Sequence, residues 1–232
     1  MKRVGHRGAM AYEPENTIRS WRKAIAFGVD VIDSDARLSK DGKVVMIHDK
    51  ALDRTTNGKG LVKDFTLTEL RKLNAGKGEK IPTLKEFLKL AKENNVIAQI
   101  ELKERGMEEK VVKEIENLGM IDKTIIISFN GESIRKVKEI NPLIQTGLIF
   151  ANKIKNLTKF FRYCKVLKAD WLYGAYNAVD ANFIKSAHKW GFKFLVWVLN
   201  DVESIKKFAG FGCDAIASDK PDLFKKLKFS NC

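Results

Sequence analysis

The amino-acid sequence predicts one α/β domain, a (β/α)8 TIM barrel spanning residues 1–232. Three observations carry that expectation. About eight short apolar runs alternate with amphipathic helical patterns along the chain. The runs are continuous rather than alternating, as parallel strands buried on both faces require. The length, 232 residues, is a little under the roughly 250 typical of such barrels. A doubly wound open sheet is the structural alternative, but the first strand–helix connection lacks its Gly-x-Gly-x-x-Gly phosphate loop.

The first strand is expected at Arg3–His6. A helix follows from Asn16, with Ile18, Trp21 and Ile25 at helical spacing, Asn16 as its N-cap and Gly28 as its stop. Val29–Asp35 and Lys43–His48 read as strands joined by a Lys40-Asp41-Gly42 turn. Thr66–Asn74 and Thr83–Asn94 read as helices, each opened by a capping box (Thr66 with Glu69, Thr83 with Glu86). Six further strands, Val96–Lys103, Thr124–Phe129, Gln145–Phe150, Trp171–Tyr176, Lys193–Asn200 and Ala215–Ser218, each precede a helical pattern. Those helices are expected at Glu108–Leu118, Glu132–Ile140, Leu157–Leu167, Asp180–Trp190, Val202–Phe208 and Pro221–Leu227. No linker, low-complexity tract or solenoid-length repeat divides the chain.

Composition narrows the function classes. Hydrophobic residues are 44% and charged residues 31%, the balance of a globular protein rather than a disordered one. No apolar run approaches the roughly 18 residues of a membrane span, so stable membrane insertion is not expected. The Met1–Met10 stretch has no apolar secretory core. Forty-three basic against 29 acidic residues leave a net charge of +14, which fits a nucleic acid, an acidic membrane surface or an anionic small molecule. The lysines are scattered over the helical segments, so solvated faces and steering of an anionic substrate explain them better than a nucleic-acid stripe. No helix-turn-helix, zinc-finger or aromatic RNA-binding signature is present, and a nucleic-acid partner is not expected. Cys164, Cys213 and Cys232 form neither a disulfide framework nor a CxxC knuckle, which points to a reducing cytoplasm.

Barrel chemistry gathers at the C-terminal strand ends. There the sequence places His6 and Arg7 after strand one, His48 and Asp49 after the hairpin strand, and Trp197 and Asn200 near the end of strand seven. Asp33 and Asp35 are two apart on one strand face, as are Glu101 and Lys103. Barrel interiors are normally apolar, so buried carboxylates there need a compensating cation or hydrogen bonds. Asp33, Asp35 and Glu101 make an all-oxygen donor set suited to a hard divalent cation, Mg2+ or Ca2+. Two histidines could exchange protons near neutral pH, and Arg7 and Lys103 could hold an anion. The combination describes metal-assisted phosphoryl chemistry on an anionic substrate.

These residues stand in stretches that resemble the glycerophosphodiester phosphodiesterase family: His6-Arg7-Gly8, Glu15-Asn16-Thr17, Asp33-x-Asp35, Lys40-Asp41-Gly42, His48-Asp49, Arg54-Thr55-Thr56 and Glu101-Leu102-Lys103. Trp197-Val198-Leu199-Asn200 and Ser218-Asp219-Lys220-Pro221 continue the resemblance to the last helix, and the ordered set is far more specific than any one piece. The resemblance implies a TIM barrel that hydrolyses a small-molecule glycerophosphodiester to glycerol 3-phosphate and an alcohol with a divalent cation. It implies His6 and His48 as general acid and base, Arg7 and Lys103 on the phosphate oxygens, and Trp197 in the pocket wall. It implies Asp33, Asp35 and Glu101 as metal ligands. Two positions depart from the family pattern: Asp33 stands where Glu is usual, one methylene shorter, and Val198 stands where the signature has a hydroxyl.

Other polar residues admit plainer readings. Asp49 either orients a neighbour or makes a turn. Glu15 either compensates a helix dipole or reaches the site. Arg54 is read as a loop-bracing ion pair, His188 as a surface or packing residue, and Phe160-Phe161 as helix packing. Phe129 is a candidate pocket residue, and Asn200 either caps the next helix or supports the site. Two competing functions follow: a lysophospholipase D-like enzyme at membranes, and a catalytically inactive or nucleic-acid-binding basic barrel.

Overall fold

The computed structural model describes residues 1–227. Cys232, and the last residues of the domain as bounded above, lie outside the described residues. Among the described residues, eight strands form a closed sheet in the order β1-β9-β8-β7-β6-β5-β4-β2, with β1 pairing β2 to complete the ring and a ninth strand, β3, appended to β2. The strands are β1 (Lys2–Gly5), β2 (Val31–Leu38), β3 (Val44–Met46), β4 (Ile97–Leu102), β5 (Thr124–Ser128), β6 (Gln145–Phe150), β7 (Trp171–Ala175), β8 (Lys193–Trp197) and β9 (Ala215–Ser218). All eight barrel strands are parallel; only β3 runs antiparallel, as the arm of a hairpin.

The helices between them are α1 (Ile18–Ala26), α2 (Leu67–Leu70), α3 (Leu84–Glu93), α4 (Glu108–Asn117), α5 (Gly131–Ile140), α6 (Leu157–Val166), α7 (Ala181–Lys189) and α8 (Val202–Gly210). Both predicted capping boxes form, at Thr66/Glu69 and Thr83/Glu86. Polar caps also start α1, α5, α6, α7 and α8, each satisfying one orphan amide of the first turn.

Most boundaries shift by one to three residues, and four differences have a structural meaning or change an element. Thr17, not Asn16, caps α1, because Asn16 takes a left-handed backbone (φ 56°) and turns its side chain inward. The helix expected over Thr66–Asn74 is the single turn of α2; beyond it Asn74 N bonds Asn57 Oδ1, exchanging helical bonds for loop bonds. β8 ends at Trp197 rather than Asn200, and the last helix is a 3-10 turn over Pro221–Lys226.

The barrel interior is filled from alternate strand positions. Val4, Val31, Ile125, Ile127, Ile149, Trp171, Tyr173, Leu195, Ala215 and Ala217 form one buried cluster inside the ring. Gly147 opposes Trp171 in register and lies under the Tyr173 ring, where a Cβ would collide with it. That glycine makes room for Tyr173 in the barrel's centre. Two larger clusters pack the helices on the outside, one around β2 and β4 and one around β6 to β9.

Candidate active site

Register sets the floor of the site. β2 and β4 align Asp33 with Gln99 and, one layer nearer the mouth, Asp35 with Glu101. Asp33, Asp35 and Gln99 are all buried. Gln99 Nε2 donates to Asp33 Oδ1 at 2.8 Å, and Tyr173 Oη donates to Gln99 Oε1 at 2.9 Å, which orients the amide. Asp33 Oδ2 accepts from the backbone amide of Arg7 at 3.1 Å.

Arg7 owes its place to a tight turn. It has φ 50°, and Gly8 follows at φ 88° with no room for a Cβ against Ser20 of α1. The turn aims the Arg7 guanidinium at two carboxylates: Nη1 bonds Glu15 Oε1 at 2.9 Å, and Nε lies 3.3 Å from Asp35 Oδ2. Asn16 Nδ2 donates to Asp35 Oδ2 at 2.9 Å, while its Oδ1 accepts from Ser34 Oγ and Asp35 N. On β4's loop, Lys103 Nζ sits 2.6 Å from Glu101 Oε1 and 3.6 Å from Asp35 Oδ1.

Each predicted histidine is held by an aspartate. His6 Nδ1 lies 2.7 Å from Asp219 Oδ1, and His48 Nδ1 lies 2.6 Å from Asp49 Oδ1. Both pairs leave Nε2 as the nitrogen available to the cavity. Asp219 is braced by Asn200, whose Nδ2 donates to Asp219 Oδ2 and whose Oδ1 accepts from Asp219 N and Ser218 Oγ. Asn200 therefore supports the site, and Asp201 caps α8. Asp49 and Glu15 both bind Arg54, so Glu15 joins the site network and Asp49 orients His48. His188 is partly exposed and bonds Asp214, away from the site.

The charges divide unevenly. Burial alone would lower the His6 pKa, but Asp219 and the Asp33 charge outweigh it and the imidazole is pushed up. Burial pushes His48 down, and Arg7 and Lys103 add to it against the pull of Asp35 and Asp49. Burial and Asp35 push Glu101 up to about 7 despite Lys103. Burial also raises Asp33, whereas Arg7 and Lys103 overcome burial and hold Asp35 low. The carboxylate cluster is thus short of positive charge.

His6, Arg7, Asp33, His48, Glu101, Lys103 and Trp197 all line one cavity of about 160 Å3 at the C-terminal mouth. Asp35 lies just behind it, under Arg7 and Lys103. Phe129 also lines the cavity, packed edge-on against Trp197 with ring centroids 6.1 Å apart.

The cavity lies where barrel active sites lie, at the C-terminal ends of the strands. Residues 6–223 match the model of the glycerophosphoryl diester phosphodiesterase family. The chain belongs to that family. A glycerophosphodiester phosphodiesterase of Caldanaerobacter subterraneus subsp. tengcongensis is 36% identical over 97% of this chain and 96% of its own. One from Bacillus subtilis is 32% identical over 97% of this chain and 85% of its own. Among solved structures, an Agrobacterium tumefaciens glycerophosphodiester phosphodiesterase superposes with TM-score 0.87 at 30% identity, covering 98% of this chain and 100% of that one. An Oleispira antarctica phosphodiesterase in complex with the product sn-glycerol-3-phosphate superposes with TM-score 0.88 at 27% identity, covering 97% and 96%.

Among the described residues, no three His, Cys, Asp or Glu side chains converge as a metal-holding group as they stand. The Lys103 ammonium sits between Glu101 and Asp35. That point nevertheless accommodates a positive charge, and the donors around it are all carboxylate oxygens.

Sequence reasoning for this glycerophosphodiester phosphodiesterase family member missed Asp219, Gln99, Tyr173 and the inward turn of Asn16. Gln99 was within reach, two residues before Glu101 on the same strand face. Asp219 lay inside a quoted motif, but nothing local pairs it with His6. Tyr173 carries no sequence signal.

Proposed function

We propose that this chain hydrolyses glycerophosphodiesters to glycerol 3-phosphate and an alcohol, with His48 as general base and His6 as general acid. The carrying observation is the matched pair of His–Asp units facing one cavity while their environments push the two imidazoles in opposite directions. His48, pushed down, is neutral near pH 7 and can take a proton from the attacking hydroxyl. His6, pushed up, holds a proton more firmly than His48 and can give it to the leaving alcohol oxygen as the phosphorus–oxygen bond breaks. The attacking hydroxyl is that of water, or that of the glycerol itself, in which case water then opens the resulting cyclic phosphate to glycerol 3-phosphate; both routes use the same pair. Arg7 and Lys103 hold the nonbridging oxygens, and Trp197 walls the pocket.

A divalent cation, Mg2+ or Ca2+, belongs to this reading, with Asp33, Asp35 and Glu101 as its donors. The oxygen-only donor set and its deficit of positive charge support it. When bound, such a cation neutralises charge on the phosphate. Lys103 would then turn from the carboxylates to the substrate. A cytoplasmic setting is part of the same reading, supported by Cys164 and Cys213 being free and buried. No helix among the described residues is long and apolar enough to cross a membrane.

The test is glycerol 3-phosphate release from glycerophosphocholine and glycerophosphoethanolamine by metal-stripped protein, with Mg2+ or Ca2+ added back. Metal-dependent release that disappears in His6→Ala is the expected result. No release of product with either cation would overturn the reading.

A further inference from the structure

The cavity lining is sorted by strand. Every charged or amide-bearing lining residue comes from the β1 to β4 side: His6, Arg7, Asp33, His48, Gln99, Glu101 and Lys103. The opposite wall is Ile127, Phe129, Ile149, Leu195, Trp197 and Ala217, with the Tyr173 ring of β7 set deep among them. That wall offers no carboxylate or amide side chain. Its two polar groups are engaged: the buried Tyr173 hydroxyl donates to Gln99 Oε1 at 2.9 Å, and the Trp197 indole N–H donates to the Tyr173 carbonyl at 3.2 Å. Phe129 stands at its lip, 52% exposed, at 89° to the Trp197 ring.

A glycerophosphodiester has two unlike ends. Its glycerol hydroxyls and phosphate need acceptors and cations, which only the β1 to β4 wall provides. The second alcohol is left against the aromatic wall. We infer that this wall is a subsite for a quaternary-ammonium leaving alcohol, and that the chain favours choline-type diesters over ethanolamine-type ones. The inference rests on the phosphodiesterase reading above.

The physical reason is desolvation. A primary ammonium carries three N–H donors, and a wall whose one side-chain oxygen is the buried Tyr173 hydroxyl cannot replace the hydration of all three. A trimethylammonium has no N–H to satisfy. Its methyl groups pack on apolar carbon, and its charge is attracted to the faces of Trp and Phe rings within about 6 Å.

The experiment compares kcat/KM for sn-glycero-3-phosphocholine and sn-glycero-3-phosphoethanolamine, read as glycerol 3-phosphate release with the activating cation saturating. The choline diester should be favoured about tenfold, mainly through KM. Phe129→Leu, which keeps apolar bulk but removes the ring, should shrink that ratio, and Phe129→Tyr should restore it. On the unmodified protein, the 3,3-dimethylbutyl diester, a neutral copy of choline's shape, should be a poorer substrate than the choline diester. Turnover without choline preference, or equal rates for choline and its neutral copy, overturns this inference alone. Preference for lysophosphatidylcholine over glycerophosphocholine also overturns it, since the wall would then be taking an acyl chain. No turnover of any diester overturns the phosphodiesterase reading and this inference with it.

Discussion

Arg54 is tied to His48 through a single carboxylate. Arg54 Nε donates to Asp49 Oδ2 at 2.6 Å, and Asp49 Oδ1 lies 2.6 Å from His48 Nδ1. The other side of the same guanidinium grips Glu15 with two bonds, at 2.7 and 2.8 Å, and Glu15 in turn holds Arg7. One continuous chain of ion pairs therefore runs from Arg7 to His48. Arg54→Gln should lower kcat about tenfold with little change in KM, because it frees Asp49 without touching substrate. The unfolding midpoint should barely move, since the Arg54 side chain is 49% exposed and such pairs add little stability. A wild-type kcat would show that the bridge only braces a loop.

His6→Ala and His48→Ala should each lower kcat by about 10²–10⁴-fold, the usual span for losing a proton-transfer group. Circular dichroism and thermal melts should match the parent. Asp219→Asn and Asp49→Asn should fall between parent and alanine variants, because each leaves an imidazole in place but loosens its tautomer and aim. Near-parent turnover in either histidine variant would remove that residue from the chemistry.

Chelation should abolish turnover, and Mg2+ or Ca2+ should restore it. Glu101→Gln and Asp35→Asn should weaken cation binding measured by calorimetry, independently of activity, because each removes an anionic oxygen donor. Asp33→Glu should restore the family's usual side-chain length and tighten binding. Undiminished affinity in Glu101→Gln would place the cation elsewhere.

Gly147→Ala should destabilise the fold by about 1–3 kcal/mol in urea titrations. The added methyl meets the Tyr173 ring, and Ile127 Cγ2 leaves no room on the other side. Shifting Tyr173 also loosens its bond to Gln99, so activity should fall with stability. An unchanged midpoint would mean that the ring can move aside.

Acid should unfold the protein through its paired carboxylates. Burial works against Asp30, but its bonds to the Arg3 side chain and backbone outweigh it and hold the carboxyl low. Asp219 is likewise held low against burial, by its bonds to His6 and Asn200. For groups depressed in the folded state, the stabilisation is complete above the unfolded carboxylate range and drains away as pH falls through the folded values. Glu101, pushed up to about 7, binds a proton more readily folded than unfolded, so melting temperature should rise slightly from neutral pH to about pH 5, and the paired carboxylates should make it fall below about pH 4. A melting temperature that holds at pH 3 would show that these pairs add nothing.

Much of the site was legible because its motifs are local. Asp33 and Asp35 share a strand face by period alone, and the β2–β4 register then sets Glu101 beside Asp35. The capping boxes at Thr66 and Thr83 needed only three-residue spacing. Asn16 was misread because Asn and Thr are both good caps, and only the inward turn of its backbone decides between them.

The sequence by itself determined the barrel, its strand order along the chain and most of the polar side chains that line its mouth. Periodicity and short motifs are local properties, and local properties survive in one dimension. Only the tertiary structure decided which groups meet. His6 and Asp219 are 213 residues apart and become neighbours because β1 pairs with β9 when the ring closes. The division of the cavity into a charged and an aromatic wall arises the same way, from which strands end up facing each other across the mouth. Hydrogen bonds and desolvation act over a few ångströms of space, and sequence separation carries no information about that distance until the barrel has closed.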